Sequence, residues 1–288
     1  MMTFYAPVLA ATFPLKAESA YRFFPTESLS FTAWLSNSIL VSILVTGSVL
    51  LFAYRSAAGM HMIPGGMQNF FEAIVETTLD VVEGIIGKRL AQKAFGFLAS
   101  LFLFILFSNW FSLLPGVGTV GWGSKTGFLT VNEVEIPLLR PTTADLNMTL
   151  GLATVAMCFW FLWTVQEVGF FGLVKSLFEV KGGVRGILSF VLAPIFLFVG
   201  ILEVFSILIR PVSLSLRLYG NVYAGEILMH TMTDLGNSLG FSQWMSALMS
   251  VVVPIPFYFL ELLIGFLQAI VFTLLIAVYI QLSTVHSK

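Results

Sequence analysis

From Ile187 to His230 the chain is an almost continuous apolar run of 44 residues. Coiled as an α-helix, such a run extends about 66 Å. The hydrocarbon core of a bilayer is only ~30 Å thick, and ordinary spans tilt by roughly 0–40°. A second run, 250–282, would extend about 50 Å. These two segments fit only by lying unusually flat, by breaking, or by reaching out of the bilayer. Pro211, Gly220 and Gly225 are places where the first could bend. Pro254 and Pro256 suit a helix entry in the second. The connection 231–247 carries Asp234, Gly236, Asn237 and Gly240 and reads as a turn. The expected product is a long, strongly tilted antiparallel hairpin.

The whole chain agrees with a membrane setting. Of 288 residues, 58% are hydrophobic and 10% charged, against about 25% charged in a soluble domain. Net charge is −1, which argues against a nucleic-acid partner. One cysteine, Cys158, precludes an internal disulfide. There is no metal-ligand spacing of His and Cys and no Gly-rich phosphate loop. No cofactor is expected.

Shorter spans are expected at 33–54, 95–114 and 146–165, giving five crossings with 187–230 and 250–282. Ile63-Pro64-Gly65-Gly66 reads as a turn. Residues 67–87 are periodic without being apolar enough to span. Glu72, Glu76, Asp80 and Glu83 form one stripe opposite Phe71, Ile74, Val82 and Ile86. An interfacial amphipathic helix is expected there, with its acidic face solvated or set against a basic partner. Residues 1–30 are expected to be an extramembrane or interfacial segment, with a cleaved signal as the alternative; they lack a basic n-region. Residues 31–288 then form one membrane domain, and the fold class is an all-α polytopic membrane protein.

Lys and Arg set the orientation. One side carries Arg55, Lys88, Arg89, Lys93, Lys175, Lys181, Arg185 and Lys288; the other carries Lys16, Arg22, Lys125 and Arg140. The excess places the N-terminus outside and the C-terminus in the cytoplasm. Trp34, Trp110 and Trp244 fall near outer ends, as in an aromatic belt.

Four ionisable residues interrupt the first long run: Glu203, Arg210, Arg217 and Glu226. A charge at the bilayer centre costs about 2.5–3.5 kcal/mol on insertion scales. Such charges usually line a path or pair inside a bundle. Positions seven apart fall within roughly 20° on a helix. Glu203, Arg210, Arg217 and then Asn221 therefore form one stripe. Glu226, nine beyond Arg217, points about 180° away and ~13 Å further along. On the last helix Glu261 and Gln268 share a face. A carboxyl group can carry a proton, whereas arginine cannot release one in a protein. The arrangement reads as two half-paths, near Glu226 and Glu261 outside and near Glu203 inside, separated by the fixed cation Arg217. The alternatives are a static Arg217–Glu261 ion pair, a positioning or snorkelling role for Arg210, and Asn221 and Gln268 simply bonding between helices. Asp145 and Glu167 read as solvated boundary residues. His230 shares a face with Glu226 and is either interfacial or the last member of the outer path.

At these residues a family resemblance enters. Pro211-Val-Ser-Leu-Ser-Leu-Arg217-Leu-Tyr-Gly-Asn221-Val-Tyr-Ala-Gly-Glu226 resembles the signature of subunit a of rotary F-type ATP synthases. Leu139–Thr149 and Gly265–Phe272 continue the likeness. The resemblance covers roughly 31–283 and implies the stator subunit of the Fo sector. It implies two offset half-channels passing protons, or Na⁺ in some members, to carboxylates of a rotating c-ring. Arg217 then matches the essential arginine. Asn221, Glu226, Glu261 and Gln268 match the outer half-channel, and Glu203 an acidic position on the cytoplasmic side. Arg140, Asp145 and Asn147 match the polar start of the preceding span. Many bacterial members carry a histidine at the Glu226 or Glu261 position; both are glutamate here, and His230 is expected to supply the imidazole. The implied partners are the c-ring, peripheral-stalk b subunits, the rest of the synthase and the bilayer. The implied location is a bacterial plasma membrane or an organelle energy-coupling membrane, and no chemical active site is expected on this chain. A secondary ion-coupled transporter is the alternative, though no internal repeat supports it. A purely structural membrane subunit is a third reading.

Overall fold

The computed structural model describes residues 37–57, 66–114, 117, 121–122, 136–137, 139–173 and 187–285. The chain order is α1 (Asn37–Ala57), α2 (Gly66–Ile86), α3 (Lys88–Ser112), β1 (Gly121–Trp122) and β2 (Ile136–Pro137). A 3-10 turn (Thr142–Ala144) and α4 (Leu146–Val168) follow. Then come α5 (Ile187–Thr233), α6 (Leu235–Ser238), α7 (Gln243–Val252) and α8 (Pro254–Val285). The fold is helical; the one sheet among the described residues is a two-residue antiparallel pairing of Gly121 with Pro137 and Trp122 with Ile136. Five segments are long and apolar enough to cross a membrane: 37–56, 88–112, 146–168, 194–233 and 243–283.

The core lies where α3, α4, α5 and α8 meet. On α8 the buried residues Gly265, Gln268, Ala269, Phe272, Ile276 and Ile280 recur at three- and four-residue steps. That spacing makes one inward stripe, and its small members let α3 approach closely. A Cβ on Gly265 would lie 3.1 Å from the Asn109 side chain of α3. Asn109 Nδ2 donates to the Gly265 carbonyl (3.1 Å) and Trp110 Nε1 to that of Leu262 (3.3 Å). Leu98, Phe102 and Ile105 supply the facing stripe on α3.

Several expected boundaries move. The second span starts at Lys88 rather than 95. Its basic first turn continues the helix beyond the apolar stretch, where Arg89 and Lys93 pair with Glu167 of α4 at 3.3 and 2.7 Å. Glu167 is thus an ion-paired residue, 17% exposed, and not simply solvated. Gly66 opens α2 rather than closing a turn. The α2 face with Val82 and Ile86 packs into the bundle, while Glu76 and Asp80 are exposed. Gly87 joins α2 to α3 at φ 77°, in the region a Cβ disfavours.

The long hairpin is present, but its details differ. α5 is one 47-residue helix running through Pro194 and Pro211. At 1.5 Å per residue it is about 70 Å long, so it cannot stand upright within the bilayer. Pro211, Gly220 and Gly225 do not break it, because α4 and α8 pack along its middle. The connection expected at 231–247 as a plain turn contains α6 and the start of α7. Gly240, at φ 72°, supplies the reversal between them. α8 starts at Pro254, but the helical path continues through Val253 (φ −66°, ψ −40°), whose N–H bonds the Met249 carbonyl at 3.0 Å. Ser250 belongs instead to α7. Residues 1–36 and the segment with Lys175, Lys181 and Arg185 lie outside the described residues.

Candidate ion path

The two long helices run antiparallel. Gly225 faces Glu261, Asn221 faces Gln268, and Arg210 faces Tyr279. Asn221 Nδ2 donates to Gln268 Oε1 at 2.7 Å. These amides do bond between helices, as one sequence reading had it. A Cβ on Gly225 would overlap the Glu261 carboxylate. Glycine therefore lets that carboxylate rest against the α5 backbone at Gly225. Glu261 and Gln268 are both buried on the inner stripe of α8, 9% and 5% exposed.

Arg217 stands apart. It is exposed, and no ion pair or hydrogen bond joins it to another described residue. The static Arg217–Glu261 pair is therefore not formed. The reason is axial distance: Glu261 sits against Gly225, eight residues or about 12 Å along the helix from Arg217. Buried Leu214 and Leu218, about 60° and 100° around the helix from the exposed Arg217, bind α5 to the core. Ser215 Oγ meets Thr149 Oγ1 of α4 at 3.0 Å.

The half of the bundle that holds the start of α4 collects buried polar groups. Asp145 is 3% exposed, and its Oδ1 accepts from the Asn147 N–H at 3.0 Å. It is a buried helix cap rather than a solvated boundary residue, because the 3-10 turn tucks the α4 start into the bundle. Arg140 is 5% exposed. Tyr219, stacked on Tyr223 with ring centres 5.5 Å apart, lies in coulombic range of Arg140, Asp145 and Glu226. Thr142 Oγ1 donates to the Ser38 carbonyl of α1 at 3.5 Å. Ser38 Oγ, Ser108 Oγ, Asn109 Oδ1, Thr143 Oγ1, Tyr219 OH, Glu226 Oε2 and Gln268 Nε2 are buried with no protein partner among the described residues. Such atoms are normally rare and need water, an ion or a function to account for them. At the mouth, His230 is exposed and its Nδ1 lies 3.3 Å from Asp234 Oδ2. Glu203, two turns before Arg210 on α5, is half-buried.

Sequence reasoning missed one cluster. The Arg210 guanidinium lies 4.4 Å from the Tyr279 ring centre and 5.6 Å from that of Trp160. The Trp160 N–H donates to the Tyr279 carbonyl (2.8 Å) and to Ser283 Oγ (2.9 Å). The aromatics were visible in the sequence, but nothing there brings 160, 210 and 279 together.

The described residues thus form a helical membrane bundle with a buried polar seam at one side and, on an exposed face, an arginine without a partner among them. The family model for the ATP synthase A chain matches residues 34–281. The chain is 31% identical over 247 residues to the ATP synthase subunit a of Protochlamydia amoebophila, covering 86% of this chain and 80% of that one. It is 30% identical over 275 residues to that of Rhodococcus erythropolis, covering 93% and 90%. It is 29% identical over 247 residues to the Propionigenium modestum protein named ATP synthase subunit a, sodium ion specific, covering 84% and 73%. The chain belongs to the ATP synthase A chain family. It is an integral membrane component of the ATP synthase complex, and its role is that of the Fo stator ion channel. Nothing favours the transporter alternative.

Proposed function

We propose that this chain carries ions past a rotating c-ring through two half-channels that Arg217 keeps apart. One observation carries the reading: the unpaired Arg217 lies on an uncovered apolar face. Leu202, Phe205, Ile209, Val212 and Leu216 form an exposed stripe at three- and four-residue steps along α5. Only 6% of the most apolar stretch of this helix is buried, against 44% in 243–283. Ser213 and Ala224, small and exposed, flank Arg217. Lipid alone would leave the guanidinium uncompensated in hydrocarbon. A neighbouring helix bearing a carboxylate compensates it, and small flanking residues let that helix approach.

In this reading the outer half-channel runs through the buried polar seam to Glu226, Glu261, Asn221 and Gln268. The inner one opens beside Glu203. A ring carboxylate arriving protonated from one side gives up its ion as it meets Arg217, which favours the anionic form. Arg217 itself relays nothing. The translocated ion is a proton or Na⁺, and no cofactor or chemical active site on this chain is needed. Asp145 serves by holding the α4 start rather than by carrying the ion. The partners are the c-ring and the peripheral-stalk b subunits. The N-terminus lies outside and the C-terminus in the cytoplasm of a bacterial inner membrane.

Cross-linking tests the ring-facing surface. In a Cys158→Ser background, cysteine at Ser213 or Leu216 should form adducts with a cysteine placed beside the ring carboxylate. Cysteine at the buried Leu218 should not. No adduct from either exposed position in assembled complexes removes the ring from this face. His230, four residues from Glu226 and within its coulombic range, is proposed to collect ions at the mouth. His230→Ala should then alter the pH profile of ATP-driven pumping; an unchanged profile excludes it from the path.

A further inference from the structure

Among the described residues Arg217 has no side-chain partner, so its place is set by the helix that carries it. On its cytoplasmic side that helix has a weak point. Pro211 lacks an N–H, so the Ile207 carbonyl loses its helical donor and the same turn is crowded. Arg210 stands immediately before this proline. Its guanidinium rests against the Tyr279 ring of α8 and the Trp160 ring of α4. The hydrogen bonds of Trp160 to the Tyr279 carbonyl and Ser283 tie those two helices together beneath it. Three helices from distant parts of the chain thus meet on one cation.

We propose that Arg210 is a positioning residue: the Trp160–Tyr279 cage holds its guanidinium and thereby fixes the rotation and height at which α5 presents Arg217. A snorkelling arginine would send its charge away from the bundle, whereas this one is turned into it. Arg210 lies seven residues, about 10 Å, to one side of Arg217, and Asn221 lies four residues, about 6 Å, to the other. The Asn221–Gln268 bond and the Arg210 cage therefore fasten α5 to α8 on both sides of the barrier residue. Arginine suits the role because its planar guanidinium stacks on a ring face, which an ammonium cannot do. The inference rests on Arg217 being the barrier between the half-channels.

The test uses assembled synthase in inverted membrane vesicles, with Arg210→Ala, Arg210→Lys, Tyr279→Phe, Tyr279→Leu and Arg217→Ala. The readouts are ATP-driven pumping and the passive proton leak per complex after the catalytic sector is stripped off. Arg210→Ala and Tyr279→Leu should each cut pumping about tenfold, the scale of a desolvated cation–π contact, and should raise the leak. Tyr279→Phe keeps the ring and should match the parent, with Arg210→Lys between. A role in folding alone would lower the amount of complex but leave the leak per complex unchanged, and that result overturns the proposal. So does equal behaviour of Tyr279→Phe and Tyr279→Leu, a pair that decides the matter if Arg210→Ala does not assemble. Coupled pumping retained in Arg217→Ala would refute the barrier reading itself. Lost coupling there with parent-like Arg210→Ala would refute only the positioning role.

Discussion

Arg217→Ala is expected to abolish coupled ion translocation while leaving the complex assembled. The side chain is exposed and has no partner among the described residues, so its removal creates no cavity and strands no buried partner there. Its effect is electrostatic. A cation passing 4 Å from the guanidinium is opposed by about 4 kcal/mol at an effective dielectric constant near 20. Losing that barrier corresponds to roughly a thousandfold faster leak between the half-channels. ATP synthesis and ATP-driven acidification should both fall to background in vesicles holding normal amounts of complex. Arg217→Lys should also be impaired, because a desolvated lysine can surrender its proton whereas arginine does not. Coupling retained in Arg217→Ala would sink the channel reading.

Gly225→Ala is expected to be nearly as damaging, for a steric reason. The added Cβ would occupy the space of the Glu261 carboxylate. That group is the flexible end of a side chain and can swing away, so stability should change little. What is lost is placement. Proton transfer needs heavy atoms within hydrogen-bond reach, and an ångström of misplacement in such a step costs on the order of a hundredfold. Pumping should fall by about that factor at unchanged complex content. Shortening the acid in Gly225→Ala/Glu261→Asp should recover part of the activity. Parent-like pumping in Gly225→Ala would show that the contact between Gly225 and Glu261 is not used.

Much of this arrangement was legible in the sequence because membranes impose simple rules. Run length identified all five spans. The seven-residue spacing of Glu261 and Gln268 put both on one face, and both are buried there. The turn from Arg217 to Glu226 separated an exposed residue from a largely buried one. Helix breaking was less legible. Pro211, Gly220 and Gly225 carry local penalties that the packing of α4 and α8 overrides. Burial of Asp145 was not legible either, since it depends on the 3-10 turn folding beneath α1. Polarity at Lys88 read as a boundary, although a helix does not end where the apolar stretch does. The Arg210 cage depends on three positions that only tertiary structure joins.

The continuity of α5 also has a mechanical side. A stator must resist the sideways drag of the rotor wherever the two touch. In beam terms, the proposed reading makes Arg217 the loaded point, and the rod is supported at Asn221 on one side and Arg210 on the other. A beam held on both sides of its load bends far less than a cantilever of the same stiffness. Hinges at Pro211 or Gly220 would have turned each thrust from the ring into rotation of the arginine. An unbroken rod passes that thrust along its length to α4 and α8 instead.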